Sequence, residues 1–471
     1  MTGTGTLSFL GDLSISGAAS KVLTGGRVVN TLGTTTWAGA TTANTNDFFT
    51  GPATIHNAGT WIDANVATTI VRDWYAGDAA TFDNTGTYRK TGAGTSTLQM
   101  KFDNRGTIRV EAGVLSLDSG GVSGAEGAID IAAGATLRFG GGEFHLEDAV
   151  VTGPGTLQVA GTFNTTTSVI HTGTTTLAGQ LSLVGGTLFA NGVLNAASYA
   201  QSANYAFLDG TGVVDVAGAA TWSDGNMQGT GTIRFRGDLA ISSAGDKAVS
   251  GGRIIETFGT TTWRGATVAN TNDFYTGPGT INNAGTWIDD NAFDTIVRDW
   301  YAGEPLVFNN SGTYRKSGGS TSTLQIAFRN TGRIEVEGGI LSLQSGGGTT
   351  GEGAIDIDAG ATLRLSGGEH RLEGTPVNGT GRLEVAGTFN TTTNVIHTGT
   401  TVFAGQLSLI GGTLTANGTL EVGTYAQTAN YAFLEGSGVV DVAGAATWSD
   451  GNMDGTGTIH FRGDLAISGA G

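Results

Sequence analysis

Glu384, Glu421, Asp441 and His460 fall on outward positions of successive short strands, and together they offer the acid–base groups of a polysaccharide-cleaving enzyme. Such chemistry needs an acid and a base flanking one substrate bond within a few ångströms, which spacing along the chain does not establish. Their counterparts 226 residues earlier are Gln158, Asn195, Asp215 and Arg234, so the stripe is no part of the repeating pattern and reads as a solvated face. The six histidines (56, 145, 171, 370, 397 and 460) include no close pair at metal-ligand spacing. His171 and His397 correspond within two copies of VIHTGTT and read as structural hydrogen-bonding groups. No cofactor is expected. Asn44-Thr-Asn-Asp47 and Asn270-Thr-Asn-Asp273 give the one hint of an ion, calcium.

Three further sets of residues point to recognition. Arg236-Gly237-Asp238 and Arg462-Gly463-Asp464 spell a tripeptide that cell-surface receptors read, although the first copy has Leu10-Gly11-Asp12 there. Trp61, Trp74, Tyr75, Trp287, Trp300 and Tyr301 lie where the strand pattern breaks, between 35 and 88 and between 261 and 314. Their rings can stack on sugars from a widened coil or a protruding loop, or fill that coil as packing. Threonine runs at 165–167, 174–176 and 391–393 resemble an ice-ordering rank, but neighbouring coils carry Leu-Arg-Leu and Leu-Glu-Val instead.

The frame that positions these residues is a repeat. GTGTLSFLGDL near Gly3 returns at Gly229 and begins again at Gly455, and Trp37, Trp61 and Trp74 recur as Trp263, Trp287 and Trp300 without insertion or deletion. Residues 1–228, 229–454 and 455–471 are thus a first unit, a second unit and the start of a third. Each unit in such an array stacks its apolar surface on a neighbour. No Pro- or Ser-rich linker marks the junction, so one uninterrupted rod is expected.

Within each unit a glycine precedes alternating apolar and polar residues, as in Gly381-Arg-Leu383-Glu-Val385. That is the period of a half-buried strand, and helix signals are hard to find. A column Leu98, Leu117, Leu137, Leu157, Leu194, Val214 and Ile233 advances by 19 or 20 residues, with one step of 37 read as two turns. The second unit repeats it as Leu324, Leu343, Leu363, Leu383, Leu420, Val440 and Ile459. The expected fold is all-β: a single-stranded parallel β-helix, or β-solenoid, of about 19–20 residues per coil, three strands to a coil.

Composition agrees. Glycine supplies 81 of 471 residues without a collagen period, charged residues only 13%, and cysteine none, which excludes disulfides and thiolate metal sites. The formal net charge of −17 opposes nucleic-acid and anionic-membrane partners. No stretch has the length and apolarity of a membrane span, and MTGTGTLSFL lacks a signal-peptide pattern, so an export signal is expected outside this sequence.

The Gly-Thr-Leu coil, as in GTLEV at Gly418 to Val422 and GAIDI at Gly353 to Ile357, resembles the stalks of large bacterial surface adhesins, the filamentous-haemagglutinin-like and autotransporter-passenger β-helices. The resemblance implies an extracellular or cell-surface rod serving attachment, biofilm or display, without catalysis. Its implied partners are further copies of the repeat and a host-cell, matrix or glycan ligand. A polysaccharide-binding or polysaccharide-cleaving β-helix is the alternative.

Overall fold

A computed structural model describes residues 1–162, 166–242, 245–388 and 392–469. All regular structure among them is β-strand, paired in parallel, with no helix and hence none long and apolar enough to cross a membrane. The chain divides into two compact units, Met1–Thr221 with Gly225–Arg234 and Trp222–Asp224 with Phe235–Gly471. Each is a parallel β-solenoid, and between them they comprise about 22 turns.

One turn of the first unit shows the plan. Strands Thr81–Asn84, Thr87–Lys90 and Thr95–Leu98 form three faces, and each lies in register on its counterpart in the next turn: Lys101–Asn104, Thr107–Val110 and Val114–Leu117. Every second side chain points inward, as the pleat dictates, so the strands alternate half-exposed and buried residues. The second unit repeats the turn as Val307–Asn310, Thr313–Lys316 and Thr321–Leu324.

Glycine marks the corner between the first two faces for a steric reason. A Cβ on Gly86 would stand 2.1 Å from the carbonyl oxygen of Gly59 one turn away, and one on Gly106 equally close to that of Gly86. Successive turns meet there backbone to backbone, and only glycine fits.

Inward residues form columns. On the first face Val29, Ile55, Phe82 and Phe102 stand one above another, with Phe82 and Phe102 stacked at 5.0 Å. On the second face Thr35, Trp61, Tyr88, Ile108, Ile129 and Val151 do the same. Burial of such continuous apolar columns contributes about 25 cal/mol per Å² removed from water.

The register differs from the expected ladder in two places. Leu98 does lie opposite Leu117, and Leu137 opposite Leu157, but Leu117 faces Phe139 while Leu115 faces Leu137. Leu157 faces Leu181, whereas Leu194 sits on another face between Thr175 and Val214. The step of 37 therefore crosses from one face to the next. Its cause is the ten-residue strand Thr174–Leu183, which spans two faces with a register shift between Leu177 and Gln180. In the second unit Leu383 faces Leu407, and Leu420 lies between Thr401 and Val440. Turn length also varies: 19 residues separate Asn104 from Ser123, but 27 separate Asn57 from Asn84.

Candidate functional site

The six aromatic candidates separate into two populations. Trp61 and Trp287 are buried, each edge-on to a phenylalanine of the neighbouring face, Phe82 at 5.2 Å and Phe308 at 5.1 Å. Inward alternation in Thr60–Asp63 and Thr286–Asp289 aims them at the core, so they are walls of the solenoid.

Trp74 and Tyr75 begin a loop, 74–80, that leaves the solenoid between strands Thr69–Asp73 and Thr81–Asn84. Their backbone N–H groups both donate to the carbonyl of Thr50, at 2.9 and 3.0 Å. The indole of Trp74 stands edge-on to Phe49 at 5.8 Å and is 69% exposed. The second unit repeats this: Trp300 and Tyr301 hang from the carbonyl of Thr276, and Trp300 is edge-on to Tyr275 at 5.7 Å and 68% exposed. A held, exposed indole offers an apolar face for a flat partner and an N–H at its rim.

The two Arg-Gly-Asp tripeptides are turns between strands. Asp238 Oδ1 accepts the N–H of Thr260 at 2.9 Å, and Asp12, its counterpart in a copy without the arginine, accepts that of Thr34 at 3.0 Å. The aspartate thus serves the turn whether or not arginine precedes it. Arg236 lies over the Phe258 ring at 5.9 Å, beside Gly237. Arg462 makes a two-pronged ion pair with Asp441, which holds that carboxyl below its usual range, and beyond Gly463 the backbone carbonyl of Asp464 accepts the N–H of Ala446 at 2.8 Å.

The acid stripe resolves into two places. Glu421, Asp441 and His460 are register neighbours, but Glu384 lies on another face opposite Arg364 and Ser408. Contrary to the outward reading it is buried, bonded to Arg364 and 3.7 Å from Arg382. It still alternates outward between the inward Leu383 and Val385, and its burial comes from the arginines that cover it.

His397 Nε2 meets Thr401 Oγ1 at 3.1 Å, whereas neither ring nitrogen of His171 has a hydrogen-bond partner among the described residues. Asp47 receives the Ile70 N–H at 2.9 Å and faces Arg72, and Asp273 likewise serves Ile296 and Arg298. Among the described residues no three His, Asp or Glu side chains converge as a metal site. Thr165 and Thr391 lie outside the described residues.

Alternation in Thr87–Lys90 and Thr60–Asp63 also turns charges inward, at residues outside every motif read from the sequence. Lys90 Nζ and Asp63 Oδ1 lie 3.8 Å apart with both side chains fully buried. Lys90 donates instead to the carbonyls of Gly92 at 2.6 Å and Asn65 at 3.2 Å. Asp63 Oδ1 accepts the side-chain amide of Asn65 at 3.0 Å, and its Oδ2 accepts the Tyr88 hydroxyl at 3.2 Å. Asn65 Oδ1 in turn accepts the backbone N–H of Ala40 at 3.1 Å and the side-chain amide of Asn46 at 3.0 Å. Burial lowers the Lys90 pKa against the pull of Asp63 and raises that of Tyr88.

The second unit builds the cluster again. Lys316 Nζ is 3.9 Å from Asp289 Oδ1, which accepts the Asn291 amide at 3.2 Å; Tyr314 donates to Asp289 Oδ2 at 3.1 Å. Asn291 Oδ1 accepts Ala266 N–H at 3.3 Å and the Asn272 amide at 2.9 Å. The signal was legible as TWID-x-N followed by TYRK in both copies. Comparison of the chain with protein-family models, with curated proteins and with solved structures returns no match.

Proposed function

We propose that this chain is a structural repeat region of a large bacterial surface or secreted fibre, a stiff spacer that carries attachment or display functions and performs no catalysis. The observation behind this reading is duplication of packing devices: the aromatic walls, the Asp-Asn-Lys clusters and the glycine corners each recur 226 residues on, which extends a scaffold without adding a distinct cleft. Its charged groups favour the same reading, since Arg89–Glu111, Arg105–Asp83 and Arg315–Glu335 tie neighbouring turns together. Further copies of the repeat are its nearest partners. The test is to label intact producing cells with antibody against the purified chain and to assay the chain on a polysaccharide panel for new reducing ends. Surface labelling without cleavage supports the proposal; labelling only after lysis, or cleavage, contradicts it.

A second reading, polysaccharide binding, is favoured by one observation, the paired exposed indoles of Trp74 and Trp300. On this reading each loop stacks a sugar ring, and the spacer is itself adhesive.

A further inference from the structure

Two charges fully buried and out of hydrogen-bond contact are an expensive arrangement, because each is stripped of water and neither satisfies the other. Lys90 and Asp63 are so placed, 3.8 Å apart, and Lys316 and Asp289 repeat it at 3.9 Å. Around them stand the components of an acyl transfer. The lysine is a nucleophile in a dry site, where desolvation favours its neutral amine. The side-chain carboxamide of Asn65 is an electrophile whose Oδ1 already accepts two N–H donors, from Ala40 and Asn46, the geometry that stabilises a developing oxyanion. The carboxylate of Asp63 lies between the two, 3.8 Å from the amine and 3.0 Å from the amide nitrogen that would leave.

We propose that Lys90 and Asn65, and likewise Lys316 and Asn291, condense into an intramolecular isopeptide bond, with Asp63 and Asp289 carrying the protons. Asp63 first takes a proton from the Lys90 ammonium. The Nζ lone pair then adds to Cγ of Asn65, and negative charge gathers on Oδ1 between its two donors. Asp63 returns its proton to Nδ2, the Cγ–Nδ2 bond breaks, and ammonia leaves. The new amide nitrogen gives its surplus proton to Asp63. A secondary amide, one ammonia and a neutral carboxyl result; no oxidant, metal or energy source enters, and both buried charges disappear. Tyr88 keeps its hydrogen bond to Asp63 Oδ2.

The bond joins successive turns, since Asp63 and Lys90 are register partners. Residues 65 and 90, 25 apart in the chain, then close a covalent loop that contains the 74–80 loop. The inference stands independently of the functional reading above.

The experiment is intact mass measurement of the purified, fully denatured chain. The proposal expects a mass below that of the sequence by one ammonia, about 17 Da, for each unit. Tryptic digestion should give a branched peptide joining residues 65 and 90, with no cleavage after Lys90. The unmodified sequence mass overturns the proposal, and so does a loss of about 18 Da per unit, which would mark a lysine–aspartate bond with water leaving. Asp63→Asn with Asp289→Asn should restore the full mass while circular dichroism retains its strand signal. A persisting ammonia loss in that variant would overturn the proton-carrying role. The wild-type mass decides the bond even if the variant fails to fold.

Discussion

Asn57 Nδ2 donates to Asn84 Oδ1 at 2.8 Å across one turn, and the contact repeats from Asn84 to Asn104 at 2.8 Å. Thr31 begins this buried ladder and Ser123 ends it; Asn283, Asn310 and Asn330 form the same ladder in the second unit. Each asparagine also donates to a backbone carbonyl at the corner, such as Thr87 or Thr107. Asn84→Leu would strand a donor on Asn57 and an acceptor on Asn104, at a cost of about 3 kcal/mol. Denaturant titration checks this, and a change below about 0.5 kcal/mol would show that the ladder contributes little.

Burial of Glu384 against Arg364 and Arg382 fixes the outcome of a charge reversal there. Glu384→Lys would set an ammonium against two guanidinium groups and should cost about 3 kcal/mol. Glu384→Gln should be nearly neutral, because the first unit has Gln158 in that place, accepting from Arg138 at 2.6 Å. Melting curves of the two variants that superimpose would show the site to be solvated.

His370 is buried, its Nε2 2.9 Å from the Gly367 carbonyl oxygen, and burial lowers its pKa to about 4. The unfolded chain takes up that proton near 6.5 and the folded chain only near 4. Stability is therefore whole above about pH 6.5 and falls as pH drops toward 4, by up to about 3 kcal/mol. His171 and His397, also lowered by burial, add to the loss with the same sign. Phe144 occupies the position in the first unit, so His370→Phe should flatten the pH dependence of the denaturation midpoint; an unchanged slope would contradict this.

The two classes of tryptophan should respond oppositely to alanine. Trp61→Ala or Trp287→Ala should cost about 3–5 kcal/mol by opening the core. Trp74→Ala with Trp300→Ala should leave the melting temperature within a degree or two and abolish glycan-array binding if the loops are adhesive. Retained binding in that double variant would remove the glycan reading.

How much of this was legible depended on what each residue's neighbour is. Alternation alone placed Leu383, Val440 and Ile233 inward, and the repeat gave every device its second copy. The jump from Leu157 to Leu194 misled because a spacing of 37 fits two short turns, while the strand at 174–183 runs on through its corner at Gly179, where the register shifts between Leu177 and Gln180. Trp61 and Trp74 looked alike in composition; only the inward phase of Thr60–Asp63 separates the wall from the exposed loop. Lys90 and Asp63 were hidden by habit, since charged residues are expected outside, although Tyr88 two residues before Lys90 fixes its phase.

Stretching single molecules by their two ends tests the central claim, that this chain is a mechanical stack of turns each held by its neighbours. Turns of 19 to 27 residues should unwind one at a time, in steps of roughly 6 to 9 nm. Smooth extension at negligible force, or collapse of a whole unit in one event, would contradict it.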